Sequence, residues 1–173
     1  MANKGKYYES QFEEATIELL REAHWQYTLG DDIHRKYTDP LIEEDLRNFL
    51  AVQYKDKNLT TSEMDGIVAN LRNTGGQNDY YALRNAFLLY RDGYDFAYSD
   101  SRDNPFRMEY IDFEHPDHNI FRCVNQFVMG QGRENRRPDI LLFINGIPVC
   151  IIELKNPTKQ NATIRDAHTQ ICT

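Results

Sequence analysis

Asp139, Glu153 and Lys155 are the residues of this 173-residue chain whose types and spacing could do chemistry. They bracket the stretch RPDILLFINGIPVCIIELK, residues 137–155. Within it two apolar runs rich in β-branched residues, Ile140–Ile144 and Ile147–Ile152, are separated by Asn145-Gly146. That pattern predicts a buried β-hairpin closed by a tight turn. Asp139 opens its first strand, while Glu153 and Lys155 close the second, on one face because strand residues two apart share a side. Two carboxylates and a lysine at the open end of a hydrophobic hairpin are the parts of a metal-assisted attack on a phosphodiester. The carboxylates hold Mg²⁺, the ion polarises the phosphate and lowers the pKa of a bound water, and the lysine positions that water or steadies developing charge. The competing reading of the same charges is an edge hairpin finished with a solvated salt bridge.

The parity of a β-ladder constrains this site. A plain two-residue loop at Asn145-Gly146 would pair Ile144 with Ile147 and Asp139 with Ile152, so that Asp139 would point away from Glu153. A shared site therefore requires an odd-length loop or a bulge between the two acids. A three-residue loop, Ile144-Asn145-Gly146 with Gly146 left-handed, pairs Asp139 with Ile151 and leaves Asp139 diagonal to Glu153. A bulge or bend within either strand restores the same parity.

The elements that must carry this hairpin are legible upstream. Residues 10–25 read as an amphipathic helix with Phe12, Ala15, Thr16, Leu19 and Ala23 on one stripe. Ser10-x-x-Glu13 has the form of a capping box, so Glu13 either caps its own helix or leans over the hairpin as an extra metal or water ligand. A short strand and turn are expected over 27–33. Asp39-Pro40 reads as the start of a second helix, with Leu41, Ile42, Leu46, Phe49 and Leu50 inward. Thr60-x-x-Glu63 caps a third helix that stops near Gly75-Gly76. A fourth spans 79–91 with Leu83, Phe87 and Leu88 inward and Gly93 as its terminator. Strands are expected over 106–113 and 120–127, separated by the turn HPDHN, whose His115 and His118 read as surface-turn residues rather than metal ligands. After the hairpin, Asn161 can cap a final helix carrying Ile164, Ala167, His168 and Ile171, with Gln170 near its end. The expected organisation is a single domain, 1–173, with a helical insertion at about 39–92.

Composition sets further bounds. The 40% hydrophobic and 27% charged content is that of a globular chain with a sizeable core. No run approaches the ~18 apolar residues of a membrane span, and the start lacks a signal-peptide core. Cys123, Cys150 and Cys172 show no paired metal spacing, and Cys150, inside the apolar run, is expected to act as a small apolar residue. A reduced cytoplasmic setting follows. The net charge of −7 argues against a free-standing DNA binder, because phosphate contacts dominate such affinity. Basic density is confined to Arg133, Arg136, Arg137 and residues 155–159.

Pro138-Asp139 followed by Glu153-Leu154-Lys155 resembles the PD-(D/E)xK nuclease signature. Added to it, YESQFEEATIELLREAHWQY, YIDFEHPDHNIFRCVNQF, PDILLFINGIPVCIIELKNP and IRDAHTQI resemble the amino-terminal nuclease region of the motor (R) subunit of type I restriction enzymes. The resemblance spans nearly the whole chain. It implies an α/β, restriction-endonuclease-like fold, a mixed β-sheet flanked by helices, with a helical side lobe. It implies Mg²⁺-dependent cleavage of double-stranded DNA, that is, a type I site-specific deoxyribonuclease. The implied partners are methylation and specificity subunits and the chain's own downstream motor domains, with no membrane. On this resemblance Asp139 and Glu153 are Mg²⁺ ligands and Lys155 the catalytic lysine. Glu13 matches the acid of the first helix, with Glu9 its rival. Gln170 matches the glutamine of a Gln-x-x-x-Tyr element whose tyrosine would follow Thr173, so the chain reads as a fragment of a longer one. Arg137, in the basic cluster beside Pro138-Asp139, is a candidate DNA-positioning residue. No Walker-type phosphate loop occurs, so ATP is expected to serve the motor rather than these residues.

Two other classes compete. One is a free-standing PD-(D/E)xK nuclease or junction resolvase, disfavoured by the acidic charge and the long insertion. The other is a non-catalytic docking module of the same fold, disfavoured by the complete Asp/Glu/Lys set.

Overall fold

The computed structural model describes residues 9–74, 78–130 and 135–155. Along the chain the elements are α1 (Glu9–Glu22), β1 (Gln26–Leu29), α2 (Glu43–Gln53), α3 (Thr61–Arg72), α4 (Asp79–Asp92), β2 (Tyr94–Phe96), β3 (Phe106–Met108), β4 (Phe121–Asn125), β5 (Ile140–Ile144) and β6 (Ile147–Ile152). The class is α/β, with a mixed four-stranded sheet, a separate two-stranded sheet and four described helices. The expected final helix lies outside the described residues. Two compact units make up the chain: residues 1–41 with 121–173, and residues 42–120.

The first unit holds the sheet, in the order β1-β4-β5-β6. β1 runs parallel to β4, and β4, β5 and β6 are successively antiparallel. Parallel neighbours require a long crossover, and the second unit is inserted in that connection. β5 is bonded on both sides, and Ile140, Leu141 and Phe143 on its two faces are all buried. This explains why ILLFI is a continuous apolar run instead of an alternating one. Cys123, Val124, Phe127 and Ile147 complete this core, with the rings of Phe127 and Phe143 5.0 Å apart. Trp25, just after α1, packs on Phe121 at 5.1 Å.

The hairpin is only half buried, contrary to expectation. Among the described residues β6 has a single strand neighbour, and Val149, Cys150 and Ile151 are exposed. An apolar run cannot by itself distinguish a central strand from its edge partner, and Cys150 is accordingly a surface thiol, not a core residue.

The second unit is built on α2 and α3. Leu46, Leu50 and Ile67 are fully buried with Met108 and Tyr110, and the Tyr110 hydroxyl donates to the Ile67 carbonyl at 2.8 Å. α2 starts at Glu43, three residues later than the Asp39-Pro40 signal. The Asp39 carboxylate instead accepts from the Leu41 amide at 3.1 Å, so the pair builds a turn, a competing use of Asp before Pro. α4 also departs from expectation. It has no fully buried residue, and Leu83 and Phe87, expected inward, are 73% and 57% exposed. Gly93 ends α4 with φ +63°, and a Cβ there would sit 2.0 Å from the Met108 carbonyl oxygen. β3 is shorter than the 106–113 expectation and pairs with β2, which carried no strand expectation.

Thr60 and Glu63 form the reciprocal capping box that starts α3. Glu63 is nearly buried and also binds Arg102 at 2.6 Å. The Arg102 guanidinium, followed by the Thr60 amide, holds the Glu63 carboxyl down at about 2. A depressed acid stabilises the fold above its unfolded value and loses that contribution as pH falls through the folded one. The chain should therefore lose stability between about 4.5 and about 2, and Glu63→Gln should flatten that part of the curve. Denaturation midpoints across this range check it: an unchanged slope in the variant would remove Glu63 from the account. No described helix is long and apolar enough to cross a membrane.

Candidate active site

The geometry of the site begins at the turn. Asn145 and Gly146 have φ of +51° and +76°, the two left-handed positions of a two-residue primed turn, and Ile144 pairs with Ile147. The three-residue loop is therefore not formed. Phe143 pairs with Pro148, but Leu142 pairs with Cys150, so Val149 is an extra residue in β6. That is a β-bulge, and it shifts the register by one. Pro148 is compatible with this ladder, because next to the hydrogen-bonded pair Ile144–Ile147 it stands in a non-hydrogen-bonded pair, where the N–H of residue 148 would face away from β5 in any case. Beyond the bulge Leu141 pairs with Ile151 and Ile140 with Ile152. Continued one step past the strand ends, where Asp139 stands in a bend and Glu153 follows β6, that register would set the two acids across from each other on one face.

Side chains tie this open end together. Asp139 Oδ2 accepts from the Leu154 amide at 2.7 Å, a charge-assisted bond across the hairpin. Lys155 Nζ stands 3.4 Å from Glu153 Oε1, with the glutamate side chain 3% exposed and the lysine 27%. The Asp139 carbonyl accepts from the Gln126 amide at 3.3 Å, so the end of β4 is fastened to the same residue. Gln126 is left-handed, with φ +57°. Gly30 lies against its backbone: a Cβ on Gly30 would come within 2.5 Å of the Gln126 carbonyl oxygen.

Glu13 approaches from α1. Ser10 lies inside that helix, so the expected capping box is not formed. Glu13 Oε1 instead accepts from Asn125 Nδ2 at 3.0 Å and Gln126 Nε2 at 3.1 Å. The Tyr27 hydroxyl donates to Asn125 Oδ1 at 3.0 Å. Glu13 is thus held at the end of β4, the strand beside Asp139. A cleft of about 900 Å³ opens there, lined in part by Glu13, Glu14, Glu18, Tyr27, Asn125 and Gln126. Tyr27, Asn125 and Gln126 had no role in the sequence reading, although the last two lie in the stretch VNQF. The signal that would have found them is polar residues at the end of an apolar strand.

Arg137 is exposed, two residues before Asp139. Gln170, the side chain of Glu9 and the basic residues after Lys155 lie outside the described residues. Asp139 and Glu153 offer only oxygen donors, the chemistry of a hard divalent cation such as Mg²⁺. An adjacent ammonium adds a positive donor beside them.

Residues 6–173 match the family model for the type I restriction enzyme R protein N terminus. The chain is 29% identical over 172 residues to the type I restriction enzyme HindI endonuclease subunit of Haemophilus influenzae, covering 94% of this chain and 16% of that one. A Methanocaldococcus jannaschii protein bearing the name of a type I restriction enzyme endonuclease subunit, MjaIXP, is 29% identical over 163 residues, covering 90% and 16%. The chain thus spans about 16% of the length of these curated relatives. With the match running almost from end to end, this chain belongs to the family of type I restriction enzyme R protein N-terminal regions.

Proposed function

We propose that this region carries out the Mg²⁺-dependent endonucleolytic cleavage of double-stranded DNA in a type I restriction assembly. Asp139, Glu153 and Lys155 would be its working group. The observation that supports this reading is the bulge at Val149, whose register, continued one residue past the strand ends, would set Asp139 opposite Glu153 where the turn alone would have separated them.

Asp139 and Glu153 would hold the ion, which when bound polarises the scissile phosphate and lowers the pKa of a water. The Leu154 amide fixes the rotamer of Asp139. Lys155, already beside Glu153, would orient the attacking water or balance charge on the phosphate. Glu13, through Asn125 and Gln126, would steady the end of β4 or hold a water, and Arg137 and Gln170 would position the DNA backbone. The net charge of −7 favours DNA delivered by other parts of the assembly: motor domains that consume ATP, and methylation and specificity subunits.

A docking module of the same fold would have no use for a cation between Asp139 and Glu153. Titration of the chain with Mg²⁺, read by NMR shifts of the 139–155 amides, should show one saturable site that Asp139→Ala removes. Shifts that persist unchanged in the variant would refute the metal site and favour the docking reading.

A further inference from the structure

Residues 112–119, away from the cleavage hairpin in sequence and in the other compact unit, carry a second ligand set. Asp112 is 4% exposed. Its Oδ1 accepts from the amides of Glu114 at 3.1 Å and His115 at 2.8 Å. The Asn119 side chain clamps its backbone on both sides: Asn119 Oδ1 accepts from the Asp112 amide at 2.9 Å, and Nδ2 donates to the Asp112 carbonyl at 2.7 Å and the Pro116 carbonyl at 2.9 Å. Held this way, the carboxylate presents Oδ2 to His118 Nδ1 at 3.0 Å and His115 Nδ1 at 3.6 Å. Gln53 Nε2, from α2, donates to the same oxygen at 3.0 Å. The two imidazoles lie stacked, with centroids 4.9 Å apart and planes at 17°. One ligand atom from each of the three residues lies within 4.8 Å of the others.

We propose that Asp112, His115 and His118 form a zinc-binding site. Two imidazole nitrogens and one carboxylate oxygen are the donors of a borderline divalent ion. Mg²⁺ and Ca²⁺ ask for about six oxygens and would find one here. Zinc bonds of roughly 2.0–2.1 Å in a tetrahedron set neighbouring ligand atoms about 3.3 Å apart, and the two Nδ1–Oδ2 separations fall on either side of that value. The supporting shell is in place. Gln53 and two turn amides orient the carboxylate, as outer partners do in histidine–carboxylate sites. The Asn119 clamp holds the turn in shape without an ion, so binding need not first order it. Both imidazoles face solvent, which leaves room for water as the fourth ligand and for exchange of the ion.

The bland account of the same contacts is that two surface histidines hydrogen-bond a buried aspartate and nothing more. Zinc titration separates the two. In the chain carrying Asp139→Ala, so that the other carboxylate site cannot contribute, Zn²⁺ should saturate one site per molecule. The ring resonances of His115 and His118 should shift, with no response to equimolar Mg²⁺. His118→Ala and His115→Ala should each weaken binding by at least about 10- to 100-fold, the loss seen when supporting partners alone are removed. Both variants remove a neighbour of the buried Asp112 carboxylate, which keeps Gln53 and two turn amides, so far-UV circular dichroism without zinc should show the parent fold even where the midpoint falls. Absence of Zn²⁺ binding, or undiminished binding in the His115→Ala/His118→Ala double variant, would overturn the proposal.

Discussion

Asp139→Ala, Glu153→Ala and Lys155→Ala should each abolish DNA cleavage by a complete restriction assembly while leaving its ATP hydrolysis intact. A metal-bound nucleophile and a polarised phosphate are worth several kcal/mol of barrier. At about 1.4 kcal/mol per factor of ten, that is a loss of about 10³-fold or more. On the proposed reading, Asp139→Ala and Glu153→Ala would act by deleting an oxygen donor from the metal site. Lys155→Ala acts differently, because it leaves the Glu153 side chain, 3% exposed, without the ammonium 3.4 Å away. Removing one member of a buried pair destabilises by leaving the other charge uncompensated, so this variant should also melt earlier than the other two. Cleavage and ATPase assays on the same preparations decide the matter. Joint loss of both activities would mean damage to fold or assembly, and cleavage surviving in any of the three would remove that residue from the site.

The second expectation concerns ladder parity and gives opposite outcomes for two changes of equal size. Insertion of one glycine between Cys150 and Ile151 should be as damaging to cleavage as loss of Glu153. With the Leu142–Cys150 pair retained, the inserted residue takes Leu141, Ile151 moves to Ile140 and Ile152 to Asp139. Glu153 and Lys155 then point to the face away from Asp139. The loop cannot readily absorb the extra residue, since Ile147 is fully buried and both turn residues already occupy the left-handed region. Deletion of Val149 should be tolerated by contrast. It removes the bulge but joins the Phe143–Pro148 and Leu142–Cys150 pairs into an unbroken ladder, with the register toward Asp139 and Glu153 unchanged. Cleavage within about tenfold of the parent is expected, a difference of no more than about 1.4 kcal/mol in the barrier. Equal loss in both variants would show that the bulge does something other than set parity.

Much of the first unit was readable from residue types. ILLFI and IPVCII around Asn-Gly announced two strands and their turn because burial, β-branching and left-handed φ are local demands. The capping box at Thr60 and Glu63 was equally local and is present. The one at Ser10 and Glu13 had the same spelling and is not formed. A carboxylate three residues into a helix has more than one place to go, and here Asn125 and Gln126, more than a hundred residues away, outcompete the helix end. The stripe of α4 failed for a related reason. Leu83 and Phe87 are spaced as a helix face, but spacing says nothing of what lies against that face.

Residue types by themselves determined the family, the hairpin and the necessity of an odd register shift between Asp139 and Glu153, since the count of residues between them admits no other shared face. Where that shift falls was a tertiary decision. It sits at Val149, in β6, which with one strand neighbour among the described residues can bulge without breaking a second ladder. Only the fold, likewise, could put Gln126 against the Asp139 carbonyl, Gly30 against Gln126, and two surface histidines around one buried aspartate. Hydrophobic periodicity and turn chemistry act over a few residues and are written in order along the chain. Hydrogen bonds between polar ends of distant strands depend on which strands become neighbours, and that is settled only when the core closes.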